Sequence, residues 1–461
     1  MCAVTTNANI DAVQGLDEQA NDPTFQNIWQ EFQWRGLVHV STDPQALEKA
    51  LTEDTLTYYI GFDPTAASLH LGHLVQLLNM RRLQLAGHRP LGLVGGSTGL
   101  IGDPRQTSER VLNSREVVAQ WVESLRGQIQ RFLSFEGDNA ARMVNNLDWT
   151  AGLSALDFLR DIGKSFRVGT MIKKEIVAKR LNSEEGISYT EFSYQILQGM
   201  DFLELYRQYG CTLQLGGSDQ WGNLTSGTEL IRKVEGEHVH AMGSPLITNS
   251  DGTKFGKSEG NAIWLDPELT TPYAFYQFWL NTADADVVDR LKVFTFRTRA
   301  EIEELARLTE EEPFRRQAQK TLAYDVCSLV HGSEATDKVI AASEALFGAA
   351  TSRRWTSRRW WRPPPSCPRT GAGGAAPAGG GPAAGHAAGL LQVRGPPVPA
   401  RGRGVGERGQ GRGGGRRRGR RGPAARALPG AAPGQEEHGP GDRAGLARRR
   451  GPQAVTEDIS F

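Results

Sequence analysis

Three times along this chain an apolar run of strand length ends in a polar, glycine-bearing turn and passes into a segment with helical apolar spacing. Residues 55–62 end at Gly61-Phe62-Asp63-Pro64, and 69–83 follow with helical periodicity. Residues 90–94 lead into a turn from Gly95 and Gly96 through Thr98 and Gly102 to Asp103 and Pro104. Residues 211–215 lead into Gly216-Gly217-Ser218-Asp219-Gln220 and a helix opening near Trp221. Alternating strands and helices argue for an α/β fold built on a parallel sheet, in which ligands collect outside the carboxyl ends of the strands. All three polar turns are expected at that edge.

The first of these helices opens with His70-Leu71-Gly72-His73. Two histidines three apart share a face, and they sit in a first turn, where unsatisfied N–H groups and the helix dipole favour phosphate. Gly72, with no side chain, lets a flat base approach the backbone. About 180 residues later Lys254-Phe255-Gly256-Lys257-Ser258 follows the turn-rich run 249–253. That composition predicts a mobile loop whose lysines act as flexible point charges, closing on a triphosphate and opening to release product. Either cluster alone is commonplace, as a helix cap or as solvated charge.

What lies between them adds weight. Ser188 and Glu191 are spaced as a capping box, and on the helix they open Tyr194, Gln198 and Asp201 fall on one face. Such a stripe usually faces solvent. Here Phe192, Ile196, Leu197, Met200 and Phe202 occupy the other directions, so the stripe is expected to line a pocket.

The near-zero net charge of the 461 residues hides a division. Residues 351–461 hold 21 Arg, no Lys and 6 acidic residues, or 21 − 6 = +15, which leaves 32 − 46 = −14 for residues 1–350. The later segment is rich in Gly, Ala, Pro and Arg and carries no apolar period, so it is expected to be disordered. An arginine-glycine RNA-binding tail is one reading; a GC-rich gene read in a wrong frame from near residue 350 accounts better for the missing lysine. Cys2, Cys211, Cys327 and Cys367 show no metal or redox spacing, which suits a reducing compartment. The first 25 residues lack a signal or transit pattern and no run approaches membrane-spanning length, so a cytoplasmic protein with no membrane partner is expected.

The two boxes resemble the signature motifs of class I aminoacyl-tRNA synthetases, and the blocks between them resemble bacterial tyrosyl-tRNA synthetases. The blocks are Gly61 to Thr65, Val94 to Pro104, Thr190 to Tyr194 and Gly216 to Asn223, within a likeness that runs from about Trp34 to about Gly348. The resemblance implies a Rossmann-like catalytic domain over 34–264 after an N-terminal extension 1–33, with a dimer-interface insertion at 152–186. It implies an α-helical anticodon-recognition domain over 265–350, in place before the tail 351–461, and a homodimer. Helix starts at Thr271-Pro272 and Thr298-x-x-Glu301, and a stop at Gly332 after residues 313–331, agree with the helical part.

Carried over residue by residue, the likeness puts Tyr59 and Asp201 on the hydroxyl of a substrate tyrosine. Asp103, Tyr194 and Gln198 take its ammonium group, with Gln220 a further tyrosine contact. Gly61, Asp63, Gly72, His73, Gly217, Asp219 and Ser258 belong to the ATP site, and Thr65, His70, Lys254 and Lys257 to departing pyrophosphate. Magnesium is expected to arrive with ATP, and tRNA(Tyr) is the expected acceptor. The likeness weakens at 105–110, which is shorter than in some relatives and lacks a lysine they carry; Arg105 and Arg110 are the substitutes available there. Three rivals remain: a tryptophanyl-tRNA synthetase, against which the Tyr59 and Asp201 pair argues; another nucleotidyltransferase; and a non-catalytic RNA-binding protein resting on the arginine tail.

Overall fold

A computed structural model describes residues 16, 18–104, 112–252, 255–258 and 261–347. All of them belong to one compact unit, 1–360. Its centre is a six-stranded sheet of β1 (Val40–Ser41), β2 (Thr57–Phe62), β3 (Arg89–Val94), β4 (Arg142–Asn145), β5 (Cys211–Gly217) and β6 (His240–Ser244), in the order β1-β6-β5-β2-β3-β4. Only β1 runs antiparallel to its neighbour; the other pairings are parallel. The chain moves outward from β2 to β4 and then returns to the other side of β2 for β5 and β6. The order therefore reverses between β2 and β5, which is where a doubly wound sheet opens a crevice for ligands.

The central strand shows why both faces are covered. Alternate side chains of β2 point to opposite faces: Tyr58, Ile60 and Phe62 join one apolar cluster, while Tyr59 joins another with Leu91, Leu93, Met200 and Phe202. Thr57 faces Cys211 but Tyr58 faces Leu213, a one-residue shift in β5. That bulge puts Cys211 in the second cluster and Leu213 in the first, although they are two apart. The crossover helix Leu71–Leu85 joins β2 to β3, and Tyr189–Tyr209 precedes β5.

After the sheet come helices Pro272–Leu280, Asp284–Phe294, Arg299–Glu311, Gln317–His331 and Ser333–Phe347. Thr298 and Glu301 form the reciprocal capping box, and Gly332 ends its helix at φ +87°. The expected boundary at 264/265 marks a change of secondary structure without a gap in packing. Trp279, Leu291, Leu322 and Val326 share one apolar cluster with Leu56, Phe62 and Leu74. Across it Arg35 donates to the Lys292 and Arg297 carbonyls at 2.9 and 2.8 Å, and Arg82 to those of Val293 and Thr295 at 3.0 and 2.7 Å. These arginines satisfy carbonyls that the end of helix Asp284–Phe294 leaves open.

One expectation changes in detail. Ser188 caps its helix by accepting from Glu191 N–H at 3.3 Å, but the Glu191 carboxylate pairs with buried Arg180 at 2.8 Å, an ion pair at the side of the helix. The segment 152–186 is built of short helical pieces: Ala155–Asp157, the wide turn Phe158–Ile162, the tight turn Gly163–Ser165, Val168–Met171 and Glu175–Leu181. Glycines at 152, 163 and 169 cost helix stability. Leu156 and Val168 there remain 79% and 61% exposed.

Candidate active site

At the crevice, β2 presents Tyr59 and helix Tyr189–Tyr209 presents Tyr194 and Asp201, all buried. The Tyr59 hydroxyl has no hydrogen-bond partner among the described residues. Burial, and then the charge of Asp201, hold that phenol well above its ordinary value, so it stays protonated and able to donate. Asp201 accepts from Asn146 Nδ2 and Trp149 Nε1, each at 2.9 Å. Burial nevertheless raises its carboxyl to about 7, against the pull of both bonds.

A chain of hydrogen bonds continues from there. Asn146 also donates to Thr98 Oγ1 at 2.9 Å and accepts from Ser97 N–H at 2.7 Å, so both amide hydrogens and the oxygen are used. Thr98 donates to Asp63 Oδ1 at 2.6 Å, and Tyr194 donates to Asp63 Oδ2 at 2.6 Å. Gly95 must be glycine for this approach, because a Cβ there would lie 2.1 Å from Asp63 Oδ1. Burial and then the charges of Asp63, Asp103 and Asp201 push the Tyr194 phenol upward. Negative potential converging on one buried point suits a cation such as an amino acid's ammonium group.

Asp103 accepts from Gln220 Nε2 at 3.3 Å and Asn223 Nδ2 at 3.1 Å. Gln220 also donates to Asp219 at 3.3 Å, so the ends of β3 and β5 are tied together beside the pocket. Gln198 lies half-buried on the same helix face as Tyr194 and Asp201. Asp219, Gly61, Thr65 and Gly72 are exposed, while Gly217 is half-buried next to Asp219.

His70 is the N-cap of helix Leu71–Leu85. Its Nδ1 accepts from Gly72 N–H at 3.0 Å, and His73 Nδ1 accepts from His70 N–H at 3.2 Å. The two rings stack with centroids 4.0 Å apart. Burial, and then the neighbouring His70, hold His73 well below its ordinary value, so it is neutral. An imidazole whose Nδ1 accepts carries its proton on Nε2. Each ring therefore carries its proton on Nε2, at a helix start that favours phosphate.

Residues 263–265, shortly after the later box, are stitched to the earlier one through backbone. Leu71 N–H donates to Ile263 O at 3.2 Å, Leu265 N–H to Leu69 O at 2.9 Å, and His70 bridges Trp264. Lys254 and the loop 105–110 lie outside the described residues, and Lys257 and Ser258 are described only as backbone of a hairpin with Asn261–Ala262. The described residues offer no group of three or more His, Cys, Asp or Glu that could hold a metal.

Thr98, Asn146, Trp149 and Asn223 are the pocket residues that reading the sequence missed. A signal existed for Asn146 and Trp149, since polar residues directly after β4 stand at the same sheet edge as the other loops.

The fold and this site define a nucleotide-dependent enzyme of the doubly wound class, and the chain belongs to the class I tRNA synthetases of the W and Y type, whose family profile matches residues 51–348. Among proteins, it is 74% identical over 335 residues to the tyrosine–tRNA ligase of Leifsonia xyli, covering 73% of this chain and 76% of that one. It is 68% identical over 323 residues to that of Streptomyces avermitilis, covering 70% and 76%. Among solved structures, a C-terminally truncated mitochondrial tyrosyl-tRNA synthetase of Aspergillus nidulans superposes with a TM-score of 0.64 at 28% identity, over 70% of this chain and 95% of that one.

Proposed function

We infer that this chain is a tyrosine–tRNA ligase, activating tyrosine with ATP and passing it to tRNA(Tyr). The observation that carries this is the buried, unpartnered Tyr59 hydroxyl beside Asp201, whose carboxylate is aimed by Asn146 and Trp149. A phenol both donates and accepts, so it can satisfy the pair; an indole offers only a donor. Identity to the tyrosine-specific relatives supports the same choice within a family that spans both substrates.

The ammonium group of tyrosine is placed among Asp103, Tyr194 and Gln198, with Gln220 beside them. That leaves its carboxylate facing the nucleotide crevice lined by Gly61, Asp63, Gly72, His73, Gly217 and Asp219. A carboxylate oxygen bonds to the α-phosphorus while the bond to the bridging oxygen of pyrophosphate breaks, and the electron pair departs with pyrophosphate. No general base takes part. The Nε2–H groups of His70 and His73 donate to oxygens on which that charge develops, with Thr65, Lys254, Lys257 and Ser258 completing the phosphate contacts; preorganised donors of this kind lower the barrier most. Magnesium, carried on the ATP phosphates, adds neutralising charge. Tyrosine-dependent ATP–pyrophosphate exchange tests the reading, and equal exchange with phenylalanine or tryptophan overturns it.

Three further proposals accompany it. Exposed Leu156, Leu159, Val168 and Ile172 in the segment 152–186 support a homodimer through that surface; replacing Leu156 and Val168 with Asp should convert a dimer to a monomer in light scattering, and an unchanged mass refutes it. The family match stops at 348, where the composition changes, which supports an out-of-frame origin for 351–461. Restoring the frame should then raise tRNA charging while leaving pyrophosphate exchange alone; equal charging refutes it. A cytoplasmic setting belongs to the same reading, and no helix among the described residues is long and apolar enough to cross a membrane.

A further inference from the structure

Resting on the reading of the crevice as an ATP site, we propose that Gln76 is a further specificity-determining residue of that site. Its amide oxygen accepts a hydrogen bond from an N–H or O–H of the nucleoside half of ATP. Helix Leu71–Leu85 buries Leu71, Leu74, Val75, Leu77 and Leu78, yet His73, Gln76 and Asn79 follow one another along it at intervals of three. They therefore stand close together on one side of the helix. The stripe deepens along its length, with Gln76 half-buried and Asn79 wholly buried.

The stripe meets the ends of β5 and β6, where Gly217 pairs with Ser244. Ser244 fixes which way both amides face. Its hydroxyl has a single proton, and the Gly216 carbonyl, 3.2 Å away, can only accept it. Ser244 Oγ therefore accepts from Gln76 Nε2 at 2.8 Å and from Asn79 Nδ2 at 3.5 Å. Gln76 Oε1 and Asn79 Oδ1 are left as acceptors, out of water and with no partner among the described residues. A buried carbonyl oxygen without a donor costs stability, so the arrangement is expected where a ligand brings the donor. Asn79 is too deep for a ligand, and Gln76 stands at the open end. It lies one turn beyond Gly72 and His73, and Ser244 ties it to the strand end that leads into Gly217 and Asp219. Residues proposed for ATP thus flank it on both sides. The phosphates of ATP are acceptors at neutral pH, and its N–H and O–H donors are the adenine amine and the ribose hydroxyls. An amide oxygen can serve only the nucleoside.

The test is tyrosine-dependent pyrophosphate exchange by the full chain and its Gln76→Leu variant, each with ATP, purine riboside triphosphate, 2′-deoxy-ATP and 3′-deoxy-ATP. Gln76→Leu should lower kcat/KM for ATP about tenfold, the loss expected for one hydrogen bond, with KM for tyrosine within about twofold. The parent should lose a similar factor with the analogue that lacks the matching donor. The variant should lose nothing more with that analogue, because the bond is already gone. Purine riboside triphosphate in that role assigns the donor to the adenine amine, and a deoxy analogue assigns it to the missing hydroxyl. A purely structural role would lower activity by the same factor with every nucleotide. Losses that add for all three analogues, or a folded variant with the parent's kcat/KM for ATP, overturn the proposal. Should the Leu variant fail to fold, Gln76→Met, closer in shape, is read by the same criteria. A parent chain inactive with tyrosine and ATP defeats the functional reading; an active parent with additive losses defeats this inference alone.

Discussion

Around Tyr59 side chains hold side chains, whereas at the two boxes backbone holds backbone. In the proposed tyrosine pocket Asn146 and Thr98 link Asp201 to Asp63 and Tyr194 through bonds of 2.6–2.9 Å, most of them out of water. At the boxes, Leu71 to Ile263 and Leu265 to Leu69 are main-chain bonds, and the histidine Nδ1 atoms are spent on N–H groups of their own helix turn. The first arrangement fixes polar atoms for one substrate, because every buried donor or acceptor left unmatched carries a cost. The second spends both histidine Nδ1 atoms on backbone, which fixes each ring's proton on Nε2. On the proposed reading, selectivity belongs to the side-chain network and phosphate chemistry to the two boxes.

Mutations at the boxes should break that contrast most severely. His73→Ala removes an oriented donor and should lower kcat for pyrophosphate exchange about 100- to 1000-fold with KM for tyrosine little changed. His70→Asn retains a capping oxygen for Gly72 N–H, so it should show a similar kcat loss without loss of thermal stability. A change confined to KM for tyrosine would show that the two regions are not separable.

In the pocket, Asp201→Ala leaves Asn146 and Trp149 donors unmatched and removes the acceptor for the substrate hydroxyl. At about 3 kcal/mol the loss in kcat/KM for tyrosine is about 100-fold. Asn146→Ala acts one bond further back and should cost about tenfold in KM, with about 1–3 kcal/mol of stability, measured by urea unfolding. Normal KM in either variant would remove Asp201 from substrate recognition.

The smallest effect is a pH dependence. With Asp201 raised to about 7 by burial, lowering the pH below that value neutralises the acceptor before tyrosine binds. KM for tyrosine should then rise about threefold from pH 7.5 to 6, since a neutral acceptor makes a weaker bond. Stability runs the other way. The folded value lies above the unfolded value of about 4, so the contribution of Asp201 to stability is full below about 4 and lost as pH rises through about 7. Asp201→Asn should flatten both trends; a KM trend that survives in Asn assigns the titration to another group.

Local periodicity made the alternation of β2, β3 and β5 with helices legible, as well as the placement of His70 and His73 at a helix start, because strand and helix periods are written over a few neighbouring residues; His70 proved to be the N-cap and His73 the first-turn residue. The stripe Tyr194, Gln198 and Asp201 was legible for the same reason, and two of its three members are buried. Asn146, Trp149 and Thr98 were not. Their roles depend on which strand ends adjoin, and Asn146 is 55 residues from Asp201.

By itself, then, the sequence determined the kind of sheet, the strand ends at which the polar turns stand and the helix start that carries both histidines, all consequences of short-range pattern. Tertiary structure alone decided that β2 lies between β3 and β5, so that Tyr59 faces Asp201. It also decided that Ile263 reaches Leu71, bringing two boxes about 180 residues apart against one helix. Such pairings are set by which apolar faces bury together across the whole unit, and no local window of the chain encodes them.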